Sequence, residues 1–159
     1  MPPDYKKGTF SWDLPSIASA LRIRPEDVQR YFTDGRRVSF LLERRIAYEV
    51  LKGTVATSEG AGYDVLDQQG GKWEVRSISR GGIYFCPSYM VGSGRKFAEA
   101  GFLAKLSEIQ GYVVCDIECF PDVPYWIISV TTVKDWWNSK FLANTTKISR
   151  GKILKLLSQ

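Results

Sequence analysis

Six glycines (Gly60, Gly62, Gly70, Gly71, Gly81 and Gly82) fall between Val55 and Gly82, and they divide the chain into two regimes. Ahead of them, apolar residues recur at helical spacing. Ile17, Ala18 and Leu21 form a first stripe entered through Pro15 and Ser16, and Val28, Tyr31 and Phe32 form a second behind Pro25-Glu26-Asp27. A proline and two acids in a first turn are a helix-start signal. A longer helix is expected over 38–51, with Phe40, Leu41, Ile46, Ala47, Val50 and Leu51 apolar and Lys52-Gly53 closing it. From Val55 onward the pattern becomes that of strands and tight turns. Segments 63–66 and 72–78 read as a hairpin across Asp67-Gln68-Gln69-Gly70-Gly71, and 112–120 and 125–130 read as a second strand pair. A helix over 97–109 separates the two pairs, and a basic segment of helical spacing runs over 148–157. This order predicts an α/β fold, a central mixed β-sheet flanked by helices. Residues 1–36 would be an N-terminal helical segment and 37–159 the sheet domain.

A chain of 159 residues suits a single core. Its 22 Lys and Arg against 17 Asp and Glu leave a net charge of +5, which suits a polyanionic partner without requiring one. Histidine is absent. That removes His-based nucleophile triads, HEXXH-type zinc sites and imidazole proton shuttles, so acid-base or metal chemistry must use carboxylates, Lys, Tyr, Cys or water. The three cysteines, Cys86, Cys115 and Cys119, sit among apolar neighbours. Cys115 and Cys119, four apart in the expected strand, would share a face. Without histidine they read as buried thiols of a reducing compartment. No run of 18 apolar residues and no signal-peptide core is present, so a cytoplasmic protein without a membrane span is expected.

The residues that carry chemistry lie on the first hairpin. Asp64 stands at the head of one strand, just behind the bend Glu59-Gly60-Ala61-Gly62. Glu74 and Arg76 are two apart on the partner strand and so project from one face. Two carboxylates that meet at the end of a sheet repel each other unless a cation lies between them, and a hard divalent ion suits such an all-oxygen site. A cation two residues beyond the Glu would orient a water or stabilise charge on a phosphorane.

This arrangement, a helix bearing Glu, an Asp on one strand and Glu-x-cation on the next, resembles the PD-(D/E)XK nucleases. The ten-residue spacing from Asp64 to Glu74 and the following loop, helix and strand pair look most like the small dimeric type II restriction endonucleases. The resemblance implies Mg2+, with Mn2+ as a substitute, held by Asp64, Glu74 and the carbonyl of Val75. Glu43 on the helix would orient metal-bound water, and Glu59 is a second candidate for that role. It further implies a homodimer that cuts double-stranded DNA at a specific site, with no organic cofactor. A Holliday-junction resolvase or repair nuclease is the alternative inside the class. One position departs from the pattern. Arg76 stands where the family has Lys, and arginine does not give up its proton. Lys72, on the same strand face, is a candidate substitute, and the departure keeps open a DNA-binding regulator or structural dimer built on a degenerate nuclease core.

Residues 17–32 also resemble a helix-turn-helix. In that role Gln29 and Arg30 would face the groove, with Arg22, Arg24, Arg36 and Arg37 near phosphates; the same helices could equally cap the sheet or form a dimer contact. The polar stretch after the second hairpin strand (Ser77, Ser79, Arg80, Ser88, Tyr89, Ser93, Arg95 and Lys96) is the expected base-contacting loop. The tail cations Lys147, Arg150, Lys152 and Lys155 read as a phosphate-contacting face or as a solvated helix end. Trp126, Trp136 and Trp137 are expected in the core.

Overall fold

A computed structural model describes residues 5–58, 61–91, 94–142 and 147–159. Its centre is a six-stranded mixed sheet in the order β1-β7-β6-β4-β3-β2. The strands are β1 (Tyr5–Ser11), β2 (Thr54–Val55), β3 (Val65–Leu66), β4 (Lys72–Ile78), β6 (Gly111–Asp116) and β7 (Asp122–Ser129), while β5 (Ile83–Tyr84) and β8 (Lys147–Ile148) pair separately. Strands β4 and β6 run parallel and every other pairing in the sheet is antiparallel. A parallel neighbour needs a crossover long enough to return the chain, and that crossover contains α4 (Glu99–Glu108).

Helices cover both faces. On one side, α1 (Leu14–Leu21), α2 (Pro25–Phe32) and α3 (Gly35–Arg45) bury Ala18, Val28, Phe32, Val38 and Leu42 against Val65, Val75, Val113 and Cys115. On the other, α4, α5 (Val130–Asn138) and α6 (Arg150–Leu157) bury Phe102, Leu106, Val133, Trp136, Ile153 and Leu157 against Ile78, Tyr112, Val114, Trp126 and Ile128. The alternation along β6 is the cause. Tyr112 and Val114 point to one layer, Val113 and Cys115 to the other, and all four are fully buried. Each such side chain stabilises the fold by about 2 kcal/mol. The expected α/β class with a mixed sheet flanked by helices is therefore what the chain adopts, and Trp126 and Trp136 lie in the core as expected.

Four local elements differ from the sequence reading. The polar N-terminal stretch contains an edge strand, β1, which pairs along its whole length with β7. Lys6 and Lys7 on an edge are a common device against intermolecular pairing, and they hide the strand's alternation. The Tyr5 hydroxyl lies 3.1 Å from the Leu157 carbonyl and 3.0 Å from that of Gln159, beyond the end of α6. The helix expected over 38–51 begins earlier, because Asp34 accepts the amides of Arg36 and Arg37 as an N-cap. It ends in a π-helical turn, Ile46–Val50, that closes with the Leu51 amide on the Ile46 carbonyl. Gly53 then passes so near β3 that a Cβ would lie 1.8 Å from the Leu66 oxygen. Finally, the strand expected over 112–120 stops at Asp116, whose carboxylate takes two hydrogen bonds from Arg150 at 2.6 and 2.9 Å. A 3-10 turn, Ile117–Cys119, follows, so Cys115 is buried and Cys119 exposed rather than sharing a face.

Candidate functional site

The expected hairpin forms, its first strand shortened to Val65–Leu66, with Val65 opposite Trp73 and Leu66 opposite Lys72. Asp64, one residue ahead of β3, is locked by its backbone. Its amide donates to the Trp73 carbonyl at 3.0 Å and its carbonyl accepts the Ala56 amide at 2.9 Å. Gly62, two residues earlier, has φ +85°, a left-handed bend that glycine takes without a Cβ penalty and that turns the chain into this strand. Because β3 is only two residues long, the Val75 peptide on β4 has no strand on its β3 side. The Asp64 carboxylate fills that gap, Oδ2 accepting the Val75 amide at 2.8 Å.

Glu74 and Arg76 project toward α4, on the opposite face from Val75. The Asp64 and Glu74 carboxyls converge on one guanidinium nitrogen, which is the meeting of acids from neighbouring segments that the sequence led one to expect. Arg76 lies against both. Its Nη1 is 3.0 Å from Glu74 Oε2, 3.5 Å from Asp64 Oδ2 and 3.1 Å from the Val75 carbonyl, while Nη2 donates to the Cys86 carbonyl at 3.3 Å. The three oxygen donors expected to hold a metal therefore surround a single nitrogen. A fourth group comes from α4: Lys105 Nζ is 2.6 Å from Glu74 Oε1. Glu74 is 4% exposed, and the side chains of Lys105 and Arg76 are 12% and 16% exposed.

Burial and charge set the protonation of this cluster. Burial first, and then the hydrogen bond and the negative charge of Glu74, push the Asp64 carboxyl up to about 8, although Arg76 opposes them. Glu74 is buried too, but the Arg76 guanidinium, the hydrogen bond from Asp64 and the Lys105 ammonium hold it below its ordinary value. Burial works against the Arg76 charge, and Glu74 and Asp64 more than offset it, so the guanidinium is held above its usual range. The two acids are therefore driven apart, Asp64 toward its neutral form and Glu74 toward its ionised form. Among the described residues no three Asp, Glu, Cys or His side chains gather in a metal-sized group. The donor set is two carboxylates and a main-chain carbonyl. That suits Mg2+, which keeps several waters and takes one or two protein carboxylates.

These residues line a cleft of about 2010 Å³, whose described walls carry nine Lys and Arg side chains and five Asp and Glu. Of the sequence-predicted residues, Asp64, Glu74, Val75, Arg76, Glu43, Arg30, Arg36, Arg37, Ser77, Ser79, Arg80, Tyr89 and Arg95 line it. Arg22, Arg24, Gln29, Lys72 and Lys96 do not. Arg24 pairs with Asp27 at 3.4 Å, Gln29 donates to the Phe120 carbonyl at 3.4 Å, and Lys72 lies over the Tyr63 ring at 5.4 Å rather than beside Glu74. Ser88 opens the 3-10 turn Ser88–Met90, and Glu59 and Ser93 lie outside the described residues. Of the tail cations only Lys147 reaches the cleft, while Arg150 is spent on Asp116.

Lys105 was missed by the sequence reading. Phe40 and Arg44 were also missed as cleft residues; the Arg44 guanidinium lies 3.4 Å from the centre of the Phe40 ring. Phe40 is 58% and Tyr89 62% exposed, large aromatic surfaces in a basic cleft. A signal for Lys105 did exist. It stands three residues after Phe102 and four before Ile109, on the stripe that α4 buries. A cation on an apolar stripe needs an acidic partner. No helix among the described residues is long and apolar enough to cross a membrane. The chain matches no protein-family model and no curated protein.

Proposed function

We propose that this chain is a Mg2+- or Mn2+-dependent endonuclease of the PD-(D/E)XK kind that hydrolyses phosphodiester bonds of double-stranded DNA, in the manner of a small type II restriction enzyme acting as a homodimer in the cytoplasm. The observation that carries the reading is the convergence of Asp64 and Glu74, from neighbouring β-segments, on a single Arg76 nitrogen in a basic cleft. The parallel β4–β6 pair with α4 in its crossover supports the restriction-enzyme likeness, and the exposed side chain of Arg30 on α2 supports a DNA-facing role for the α1–α2 pair. Asp64, Glu74 and the Val75 carbonyl would hold a divalent ion, which when bound would supply Lewis-acid charge neutralisation at the phosphate.

The chain's own groups do the rest. Arg30, Arg36, Arg37, Arg80 and Arg95 hold the phosphate backbone across the cleft mouth. Lys105, and not Arg76, is the cation at the acids that can give up a proton, so it takes the part the family assigns to the motif lysine.

A second reading is favoured by one contact. Arg76 already neutralises the two acids, so the core holds together without a metal, as a DNA-binding regulator would need. Incubation with plasmid and Mg2+ separates the two. The nuclease yields reproducible fragments that Asp64→Ala abolishes while binding persists. A mobility shift with intact plasmid would leave the regulator, and continued cutting by Asp64→Ala would remove the assigned site.

A further inference from the structure

The geometry points to an exchange site. The Asp64–Glu74–Val75 cage holds either the Arg76 guanidinium or a divalent cation, and nucleic-acid phosphate is the ligand that receives Arg76 when the metal enters. This inference rests on the nuclease reading for the identity of the incoming ion and of the phosphate.

The argument is one of position and charge. Arg76 Nη1 lies within 3.5 Å of an oxygen from each of the three donors, which is the place an ion bound to all three would occupy. Both cannot be there. Glu74 is also matched by Lys105 on its other oxygen, so even with Asp64 ionised two carboxylates face two fixed cations. Adding a divalent ion to that set leaves two uncompensated positive charges in a largely buried site, which is strongly unfavourable. If the guanidinium leaves for one phosphodiester of the backbone and the metal faces the next, those two phosphate charges cancel the excess. Arginine suits the part because its planar fork matches phosphate as well as carboxylate. The route is short, since Arg76, Ser77, Arg80 and Arg95 line the same cleft in which the backbone would lie.

The test is a titration of Mn2+ into the full chain, followed by the loss of free-ion electron paramagnetic resonance signal. It is run with and without an uncleavable phosphorothioate duplex. Without DNA, Arg76→Met is expected to bind Mn2+ about tenfold or more tightly than the wild type, a coupling of ordinary size between two ligands of one site. Adding the duplex should tighten Mn2+ binding to the wild type by a similar factor and to Arg76→Met by less than about twofold. Asp64→Asn should weaken Mn2+ in both backgrounds. Equal Mn2+ affinity of wild type and Arg76→Met without DNA would overturn the exchange. If Arg76→Met does not fold, the wild type decides alone, because linkage requires Mn2+ and the duplex to strengthen each other, and independent binding sinks the idea. Failure here is distinct from failure of the nuclease reading: a protein that exchanges Arg76 for Mn2+ but leaves plasmid intact keeps this inference and loses that one.

Discussion

Lys105 on α4 closes onto Glu74 on β4, its ammonium 2.6 Å from a carboxylate oxygen that is almost wholly buried. The pair joins the crossover helix to the strand that carries the acids. Under the proposed activity, Lys105→Met should lower the cleavage rate at saturating DNA by about 10²-fold, the lower range for loss of a proton-transferring group. Lys105→Arg should keep DNA affinity and leave the rate low, because arginine keeps the charge but does not give up its proton. Full activity in Lys105→Arg would show that only the charge matters.

The Asp64 carboxyl gives a signed pH dependence. Its ordinary value of 3.8 is raised to about 8 in the fold, so between those limits the native state holds a proton that the unfolded chain has released. Stability from this group is complete below about 4 and is lost as the pH rises through about 8. Thermal melts of the metal-free protein from pH 5 to 8.5 should therefore show a fall in Tm that is shallower in Asp64→Asn. Parallel curves for the two proteins would contradict the assignment. Mg2+ should stabilise the wild type more at pH 8.5 than at pH 6, since it competes with that proton.

Binding should be read from salt. Arg36 and Arg37 at the start of α3 and Arg80 after β4 all line the cleft. Each replacement by Ala should reduce the slope of log affinity against log salt by about 0.9, the yield of one lost phosphate contact. Lys155→Ala, on α6 and outside the cleft lining, should leave the slope alone. Tyr89→Ala tests a different component, the stacking surface, and should weaken binding without changing the slope.

Stability hinges on a contact far from the acids. Asp116 ends β6 fully buried, and its only described cation is Arg150 at the start of α6. Arg150→Ala leaves a buried carboxylate unpaired and should cost about 3 kcal/mol, read as a drop on the order of 10 °C in Tm. Lys152→Ala, two residues along and exposed, should stay within about 0.5 kcal/mol.

How far the residues alone led is plain at these positions. The hairpin, the shared face of Glu74 and Arg76 and the place of Asp64 follow from period-two alternation and glycine turns, which are local. Lys105 required knowing that α4 packs over β4, a tertiary relation that only its place on an apolar stripe hinted at. Strand β1 was hidden because an edge strand is read by its partner, and Lys6-Lys7-Gly8 offers little alternation. The break after Asp116 likewise depends on Arg150, 34 residues away. Lys72 failed as a neighbour of Glu74 because it lies at the strand's exposed start, over Tyr63.

The contact of Tyr5 with the carbonyls of Leu157 and Gln159, at the end of α6 and just past it, makes the two extremities of the described chain spatial neighbours. A short peptide could therefore join them and new ends be opened at a surface turn, giving a circular permutant with the same sheet. Conversely, trimming the first strand would strip β7 of its outer partner and release the last helix together, so damage begun at one extremity would spread to the other.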